Sequence, residues 1–304
     1  MTALLEPALR YFMEVIDCGS IRLAADRLQI APSAISRQIQ VLEHRFGAAL
    51  LVRSRTGIEA TEQGTLVANY VQSAKRDLDR LRSAIDDLSG LRRGRVVLAT
   101  VEATQGRILP ECISAFRAKF PGVDLEVRIL GTHQVAETLL KEEADIGIAL
   151  DPPLRNELLL RMRWPQPLQV VTQPSHELAR QAGSLRLKDV LAWPHILPDR
   201  SFGIRSLIER AAAKAGAVAR PFLETNSLDV AKTMVTSTNA LTVLPPEALF
   251  RELAAGCLVA RKIDDAMLAK ATIDVMTLRA RPLSKAAETL LGFVRQSIAD
   301  HKSQ

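Results

Sequence analysis

The stretch that most constrains the fold is Pro32 to Gly47, which reads PSAISRQIQVLEHRFG. Proline is favoured at the first position of a helix. The apolar residues that follow it recur at steps of four, three and four, and they are Ile35, Ile39, Leu42 and Phe46. At roughly 100° per residue these side chains share one face. The pattern therefore predicts an amphipathic helix whose apolar face lies in a core.

The opposite face of this helix carries side chains that suit DNA. It comprises Ser33, Arg37, Gln40 and His44, with Ser36 on the flank. Hydroxyl groups and arginine bind phosphates, while arginine and amide groups read base edges. An ordinary solvated outer face is the alternative, so the neighbouring segments must decide between the two interpretations.

Those neighbours favour a DNA-binding unit. Residues 8–18 and 21–28 both show helical spacing of apolar side chains, and Ser20 can cap the second helix. Only three residues, 29–31, separate that helix from Pro32. Two short helices, a tight turn and a longer amphipathic helix form the helix-turn-helix pattern.

Two short extended pieces around Gly57 follow and predict a β-hairpin wing. Arg53 and Arg55 fall where a wing meets a phosphate backbone or a minor groove, and a basic hairpin without a ligand is the alternative. Residues 1–60 hold seven arginines against six acids. DNA binding must therefore depend on where these charges lie and not on their sum.

A heptad seam indicates a long linker helix from Thr61 to about Leu88. Its apolar positions recur at alternating steps of four and three, and they are Val67, Val71, Ala74, Leu78, Leu81, Ile85 and Leu88. A narrow apolar stripe needs a partner. A second copy of the same helix would give a dimer, and packing on the chain's own body is the alternative. Residues 89–94 are interpreted as a hinge.

The run GSIRLAADRLQIAPSAISRQIQVLEHRFGAALLVRSRTGIEATEQG resembles the DNA-binding head of LysR-type transcriptional regulators, over about the first 65 residues. The resemblance implies a bacterial, cytoplasmic regulator with a winged helix-turn-helix, antiparallel linker helices and a ligand-sensing domain, assembled as a homodimer and further as a homotetramer. Ser33, Ser36 and Arg37 match the family's contact positions. Ala31 and Pro32 stand where the family often has serine and glutamine. The predicted DNA-binding residues are Pro32, Ser33, Ser36, Arg37, Gln40, Arg53 and Arg55.

The pattern changes again at Arg95. Short apolar runs alternate with helical segments, which predicts parallel strands joined by right-handed crossovers. We expect two α/β lobes of periplasmic-binding-protein type, crossed near residues 163–168 and 263–272. The predicted domains are a head (1–60), a linker (61–90) and an effector-binding domain (91–304), with lobe I at about 91–164 and 268–304 and lobe II at about 165–267.

Ligands of open α/β sheets bind beyond the carboxyl ends of strands, often at helix N-termini. That rule selects the predicted effector-binding residues, which are Thr100, Glu102, Thr104, Thr132, His133, Ser201, Phe202, Asn226 and Ser227. Plain helix caps are the alternative for the serines and threonines, and a core position is the alternative for Phe202. Glu102 would repel an anionic effector if it faces the cleft; otherwise it faces solvent.

Composition excludes several other classes. The three cysteines are far apart and form no Cys-x-x-Cys pair, so neither a metal site nor a disulfide framework is predicted. No catalytic or cofactor motif is present, no apolar run approaches a membrane span, and the N-terminus lacks a signal-peptide pattern. A free-standing solute-binding protein would leave residues 1–90 unexplained, and an α/β transferase or lyase is the remaining alternative. The sequence therefore predicts a non-enzymatic regulator that binds double-stranded DNA and a small-molecule effector.

Overall fold

The computed structural model of the chain describes residues 6–55, 57–88, 94–153 and 155–302. They belong to two compact units, Met1–Arg82 and Ser83–Gln304. No helix in the described ranges is long and apolar enough to cross a lipid bilayer. Of the predicted hinge, residues 89–93 lie outside the described ranges, and Gly94 begins a strand.

The first unit is a winged helix-turn-helix followed by a long helix, whose residues after Arg82 belong to the second unit. Its elements are α1 (Pro7–Cys18), α2 (Ile21–Leu28), α3 (Pro32–Phe46), β1 (Leu51–Ser54), β2 (Gly57–Ala60) and α4 (Glu62–Leu88). Gly19 ends α1 in a left-handed conformation, and the Ser20 hydroxyl accepts a hydrogen bond from the Leu23 amide at 3.5 Å as the cap of α2. The predicted helix-turn-helix is thus confirmed.

The apolar face of α3 is buried over most of its length. Ile35, Ile39 and Leu42 are at most 5% exposed. The expectation for Phe46 was wrong, because its side chain is 52% exposed. Phe46 is the last residue of α3, and the left-handed Gly47 turns the chain away there. The helix therefore extends beyond the core at this end.

The wing is a two-stranded antiparallel hairpin that pairs Leu51 with Ala60 and Ser54 with Gly57. Gly57 begins β2 and is not the apex of the turn. Its φ of +138° and the carbonyl oxygen of Gly19, 2.6 Å from where a Cβ would stand, both require glycine. The next residue, Ile58, donates its amide to that carbonyl at 2.8 Å. The wing is therefore fixed to the α1–α2 turn.

The apolar seam of α4 has two parts with different surroundings. Val67 and Val71 are buried in a cluster with Phe12 of α1, so this part of the seam packs on the chain's own head. Leu81 and Ile85, farther along the helix, are 57% and 55% exposed. Only the second part of the stripe is left for a partner.

Lobe I of the second unit is a five-stranded mixed sheet with three helices. Its elements are β3 (Gly94–Thr100), α5 (Ile108–Lys119), β4 (Val123–Ile129), α6 (Thr132–Leu140), β5 (Ile146–Leu150), β6 (Leu158–Pro165), β13 (Thr272–Leu278) and α12 (Lys285–Lys302). The strand order is β4-β3-β5-β13-β6. The strands β4, β3 and β5 are parallel, whereas β13 is antiparallel to both β5 and β6.

Lobe II is built around a second sheet. Its elements are β7 (Gln169–Thr172), α7 (Glu177–Arg180), β8 (Leu185–Arg186), α8 (Leu187–Val190), β9 (Ile196–Pro198), α9 (Gly203–Lys214), β10 (Leu223–Thr225), α10 (Leu228–Ser237), β11 (Thr242–Leu244), α11 (Phe250–Ala254) and β12 (Val259–Asp264). The order is β11-β7-β12-β8, and a bridge from His195 to Leu241 joins the parallel pair β9 and β10 to β11.

Antiparallel pairs in both lobes depart from the expected parallel pattern, and they involve β5, β6, β7, β11, β12 and β13. Strands β6 and β12 were not predicted, and each borders a crossing between the lobes at residues 166–168 or 265–271. Strand β7 is antiparallel to both of its neighbours. The strands on either side of the two crossings pair antiparallel with each other, β6 with β13 in lobe I and β7 with β12 in lobe II. The two-lobed α/β fold itself is confirmed.

Candidate nucleic-acid interface and ligand cleft

The outer face of α3 is accessible. Pro32, Ser33, Arg37 and Gln40 are exposed, and Ser36 is half-buried. The Ser36 hydroxyl donates to the Pro32 carbonyl at 3.1 Å, which turns it along the helix at its N-terminal end. Ala31 provides no side-chain cap and proline fills the first helical position, so the leading turn of α3 presents few donors of its own.

Two of the arginines in the head are paired with acids. Arg27 binds Glu14 at 3.0 Å, and Arg45 binds Glu6. No ion pair joins Arg37, Arg53 or Arg55 to another residue within 6–55 and 57–88. The near-balance of charge therefore conceals an asymmetry, because the ion pairs involve Arg27 and Arg45 and leave the charges of Arg37 and the wing unpaired. Arg10 and Arg22 likewise have no ion pair within the described residues of the head.

Glu43 ties these two positive elements together. Its carboxylate, on the inner part of α3, accepts hydrogen bonds from the amides of Leu50 at 2.8 Å and Leu51 at 3.3 Å, where β1 begins. Glu43 adds a negative charge to a unit that binds DNA, but its carboxylate has a structural role. It fixes the wing relative to the helix whose outer face carries Arg37.

In the second unit, four helix N-termini meet at the boundary between the lobes. The amide of the first residue of each helix donates to a group of the opposite lobe. The donors and acceptors are Ile108 of α5 to Glu247 (2.8 Å), Thr132 of α6 to the Ser201 carbonyl (2.9 Å), Gly203 of α9 to the Thr132 hydroxyl (3.0 Å), and Leu228 of α10 to Glu102 (2.9 Å).

Glu102 is the most informative of the predicted residues. It lies between the lobes, and the same carboxylate oxygen also accepts from the Ser227 hydroxyl at 3.3 Å and the Asp229 amide at 3.4 Å. The alternative in which it faces solvent does not hold. A helix N-terminus attracts negative charge, and here the chain supplies that charge itself.

Glu247 is the counterpart that the sequence reasoning missed. It belongs to lobe II, is 2% exposed, and accepts from the amides of Arg107 at 3.2 Å and Ile108 at 2.8 Å in lobe I. Burial raises the pKa of this carboxyl group above its ordinary value, against the opposing effect of those hydrogen bonds and of Arg107. Glu247 lies three residues after the end of β11, but the helix whose N-terminus it caps is 139 residues away in the sequence.

Thr132 is enclosed by the lobe contact. It is 1% exposed, and its hydroxyl donates to the Leu150 carbonyl at 3.2 Å while accepting from Gly203. A Cβ at Gly203 would lie 2.1 Å from the Leu150 carbonyl oxygen, so only glycine permits this approach. Ser201 donates its hydroxyl to Asp199 at 2.6 Å, and Phe202 beside it is 8% exposed as the cap residue of α9.

The remaining predicted ligand residues are scattered. Thr100 and Thr104 are fully buried and hydrogen-bond each other at 2.8 Å. His133 and Asn226 are exposed, and Ser227 caps α10. A cavity of about 420 Å³ lies between the lobes beside α10, and of the predicted set its lining includes Glu102 alone. Glu102 and Ser227 are brought together, as are Thr132 and Ser201, but the nine do not surround one cavity.

The walls of that cavity carry charges of both signs. Lys232 of α10 binds Asp229 at 2.8 Å and Glu252 at 2.7 Å. Burial disfavours the charged amine, but these two carboxylates outweigh it and raise the pKa of Lys232. Arg251 also lines the cavity. Lys232 is already paired with Asp229 and Glu252, so its charge is not available to neutralise Glu102. Glu102 therefore remains an acidic group at the edge of the cavity.

Both parts of the chain match families of known proteins. Residues 7–65 match the family model described as bacterial regulatory helix-turn-helix protein, lysR family. Residues 89–299 match the LysR substrate binding domain. A probable RuBisCO transcriptional regulator of Emiliania huxleyi is 26% identical over 264 residues, which cover 85% of this chain and 83% of the relative.

Two solved structures share the fold. Full-length CbnR complexed with its target DNA has a TM-score of 0.69 at 21% identity, over 96% of this chain and all (100%) of that one. The regulatory domain of Synechocystis PCC6803 CcmR in complex with 2-PG has a TM-score of 0.61 at 22% identity, over 67% of this chain and 97% of that one.

Proposed function

The chain belongs to the LysR family of bacterial transcriptional regulators, and we propose that α3 and the wing make its contacts with double-stranded DNA. As a member of that family it binds DNA in a sequence-specific way and responds to a small-molecule effector. In our proposal Ser33, Ser36, Arg37 and Gln40 enter the major groove, beside Pro32 at the leading edge. Arg53 and Arg55 bind the phosphate backbone.

The observation that supports this assignment best is the unpaired Arg37 on the exposed face of α3. An arginine engaged with an acid would have to break that ion pair before it could bind a base or a phosphate. Arg37 is free to do so, and arginine recognises guanine through two N–H donors that bind its O6 and N7 atoms. The helix N-terminus offers little else, because Ala31 and Pro32 bring no side-chain donors to it.

The test is a mobility-shift titration with DNA from the promoter region of the chain's own gene. Arg37→Ala should weaken binding roughly five- to 150-fold, the range for one lost base contact of about 1–3 kcal/mol. Arg27→Ala is the matched control, since it removes the same charge from an exposed but paired arginine of the same unit. Equal effects of the two substitutions would refute the assigned contact, and no sequence-preferring binding by the wild type would refute the function.

For the effector, we propose a molecule that presents a cationic or hydrogen-donating group to Glu102. The carboxylate of Glu102 already lies on the N-terminus of α10, where an anionic ligand would otherwise be attracted. The CcmR regulatory domain was solved with 2-PG. An anion at the N-terminus of α10 would have to displace Glu102 or tolerate its charge.

A thermal-unfolding screen tests this proposal, because a ligand that binds the folded state raises stability with its concentration. Amines and other cationic metabolites should stabilise the wild type, and Glu102→Gln should remove that response. Stabilisation by anions alone, unchanged in Glu102→Gln, would contradict the assigned charge preference. The Thr132→Val/Phe202→Ala double variant tests the predicted cleft residues. If the effector binds between the lobes, this variant should also lose the thermal stabilisation by the effector.

We also propose that the chain associates through residues 61–88, as a dimer and further as a tetramer. The support comes from Leu81 and Ile85, two exposed apolar residues at heptad spacing on α4. The relatives described above are transcriptional regulators, and we propose that this chain likewise acts by binding and not by catalysis, in the cytoplasm where its DNA is.

A further inference from the structure

The turn that carries Glu102 is held firmly in lobe I. It is a single 3-10 turn, Glu102–Gln105, one residue after the end of β3. Val101 before it donates its amide to the Ile148 carbonyl of β5 at 3.1 Å, and Thr104 within it donates its hydroxyl to the Val101 carbonyl at 3.0 Å. Val101 and Thr104 are at most 3% exposed. Lobe I therefore fixes the backbone from which the Glu102 side chain extends.

The carboxylate of Glu102 is held by the other lobe. Its Oε1 atom accepts a hydrogen bond from the Leu228 amide at 2.9 Å, and longer ones from the Ser227 hydroxyl at 3.3 Å and the Asp229 amide at 3.4 Å. These donors form the N-terminus of α10, where the helix dipole adds to the attraction for a negative charge. The backbone of Glu102 belongs to lobe I and its charge is bound by lobe II, so this side chain links the two.

Glu247 forms the same kind of link in the opposite direction. It extends from lobe II, and its carboxylate accepts from the amides of Arg107 and Ile108 at the N-terminus of α5 in lobe I. The backbones also meet beside it, because a Cβ at Gly106 would lie 2.4 Å from the Glu247 carbonyl oxygen. Because the chain supplies both the donors and the acceptors, these links between the lobes need no effector.

A separate contact between the lobes shows where their opening can be observed. The Thr132 amide donates to the Ser201 carbonyl at 2.9 Å, and the Gly203 amide donates to the Thr132 hydroxyl at 3.0 Å. Both donors are buried, and they belong to α6 and α9 rather than to the Glu102 turn or α10. Since each amide is bound by a group of the opposite lobe, its exchange with solvent requires the boundary to open.

We propose that Glu102 is a latch, which closes the boundary between the lobes before an effector binds. The inference rests on the proposed function in one respect, since it takes this boundary as the place of the effector. Glu102 lies at the edge of the cavity of about 420 Å³, whereas Glu247 is 2% exposed. A ligand in that cavity therefore meets the latch at Glu102, on a boundary that is already closed.

Hydrogen exchange of the full-length chain, measured without effector and resolved by electron-transfer fragmentation, tests the latch. In Glu102→Ala, exchange at the amides of Thr132 and Gly203 should rise roughly two- to 30-fold, the factor that corresponds to the loss of one helix cap. Glu102→Asp keeps the charge but shortens the side chain by one methylene group. It should raise the same two rates, and it keeps the test decisive if the alanine variant folds poorly.

Ser284→Ala is the matched control. The Ser284 hydroxyl accepts from the Ala287 amide at 3.2 Å and so caps α12 within lobe I. Its loss should leave exchange at Thr132 and Gly203 within about twofold of the wild type. Equal increases in this control and in Glu102→Ala would overturn the latch, because exchange would then report a general loss of stability. Unchanged exchange in both Glu102→Ala and Glu102→Asp would also overturn it, because the carboxylate would then only cap α10.

Glu102→Gln separates the latch from the effector assignment. Its side-chain oxygen has the same reach, so the Thr132 and Gly203 amides should stay protected, whereas the thermal response to cationic ligands should be lost. A response to amines that persists in this variant would contradict the effector assignment alone. Exchange at the two amides that rises as far as in Glu102→Ala would contradict the latch alone.

Discussion

The DNA-binding head and the two-lobed unit treat their polar groups in opposite ways. In the head, acids are used internally, as Glu43 braces the wing and Glu14 neutralises Arg27, so Arg37 remains free at the surface. In the second unit the polar groups at strand ends are used between the lobes, as Glu102 and Thr132 show. A surface built to bind a large polyanion leaves its cations unpaired, whereas a boundary between lobes satisfies its own helix termini.

Gly203→Ala should have the largest effect, and it tests whether the lobe contact is as close as the geometry indicates. The added Cβ would lie 2.1 Å from the Leu150 carbonyl and 2.8 Å from the Thr132 hydroxyl. We expect the second unit to lose about 3 kcal/mol or more of its unfolding free energy, measured by urea denaturation.

Gly292→Ala is the control for that substitution, because nothing lies within 4 Å of its added Cβ in α12. It should stabilise by about 0.5–1 kcal/mol, as alanine is favoured over glycine inside a helix. Similar losses of unfolding free energy from both substitutions would mean that the close approach at Gly203 is not the cause of the destabilisation.

A substitution pair in α4 separates its two roles. Val71→Ala should cost the head about 2 kcal/mol, because its side chain is 3% exposed and packs in the head core. Leu81→Ala, at a position that is 57% exposed, should leave that stability within about 0.5 kcal/mol and weaken self-association. Denaturation and sedimentation of both variants provide the measurements, and a Leu81→Ala protein that loses stability but not association would contradict the division.

Removing the Glu102 cap should have a smaller effect. Glu102→Ala leaves the amide of Leu228 without its partner, and loss of a helix cap costs about 1 kcal/mol. Ser227 can still cap the helix through Val230, which limits the loss. A Ser227→Ala/Glu102→Ala double variant should therefore lose more than the sum of the two single variants. Strict additivity would show that the two caps act independently.

The smallest expected effect is a pH dependence from Glu247. Its pKa is raised in the folded protein by burial, so the folded state holds this proton more firmly than the unfolded chain does. The stabilising contribution is present below the ordinary carboxyl pKa, and it is lost as the pH rises through the raised value. The backbone hydrogen bonds from Arg107 and Ile108 oppose burial and keep the effect small.

Glu247→Gln isolates this contribution, since the amide resembles the protonated acid and cannot titrate. We expect the stability of the wild type relative to this variant to fall as the pH rises from acidic to neutral values. Unfolding free energies of both proteins across that range give the difference. A difference that rises with pH instead would reverse the assigned direction of the pKa shift.

The comparison of the head with the two-lobed unit also shows how much of the cleft could be predicted from the sequence. The strand-end rule selected Glu102 and Thr132 correctly as residues at the lobe boundary, because it depends only on topology. It could not tell that Thr132 would be enclosed by Gly203, which is 71 residues away. It also passed over Glu247, whose role depends on a helix 139 residues distant. Their contributions to ligand binding stay predictions.

The sequence by itself determined the elements whose pattern is local. The spacing of Ile35, Ile39 and Leu42 specified α3, its outer face and the helix-turn-helix around it, because a helix repeats over a few residues. Only the tertiary structure decided which charges are free and which are paired. Arg37 stays unpaired, and Glu102 and Glu247 cap helices of the opposite lobe, because contacts between distant segments depend on how the folded elements meet.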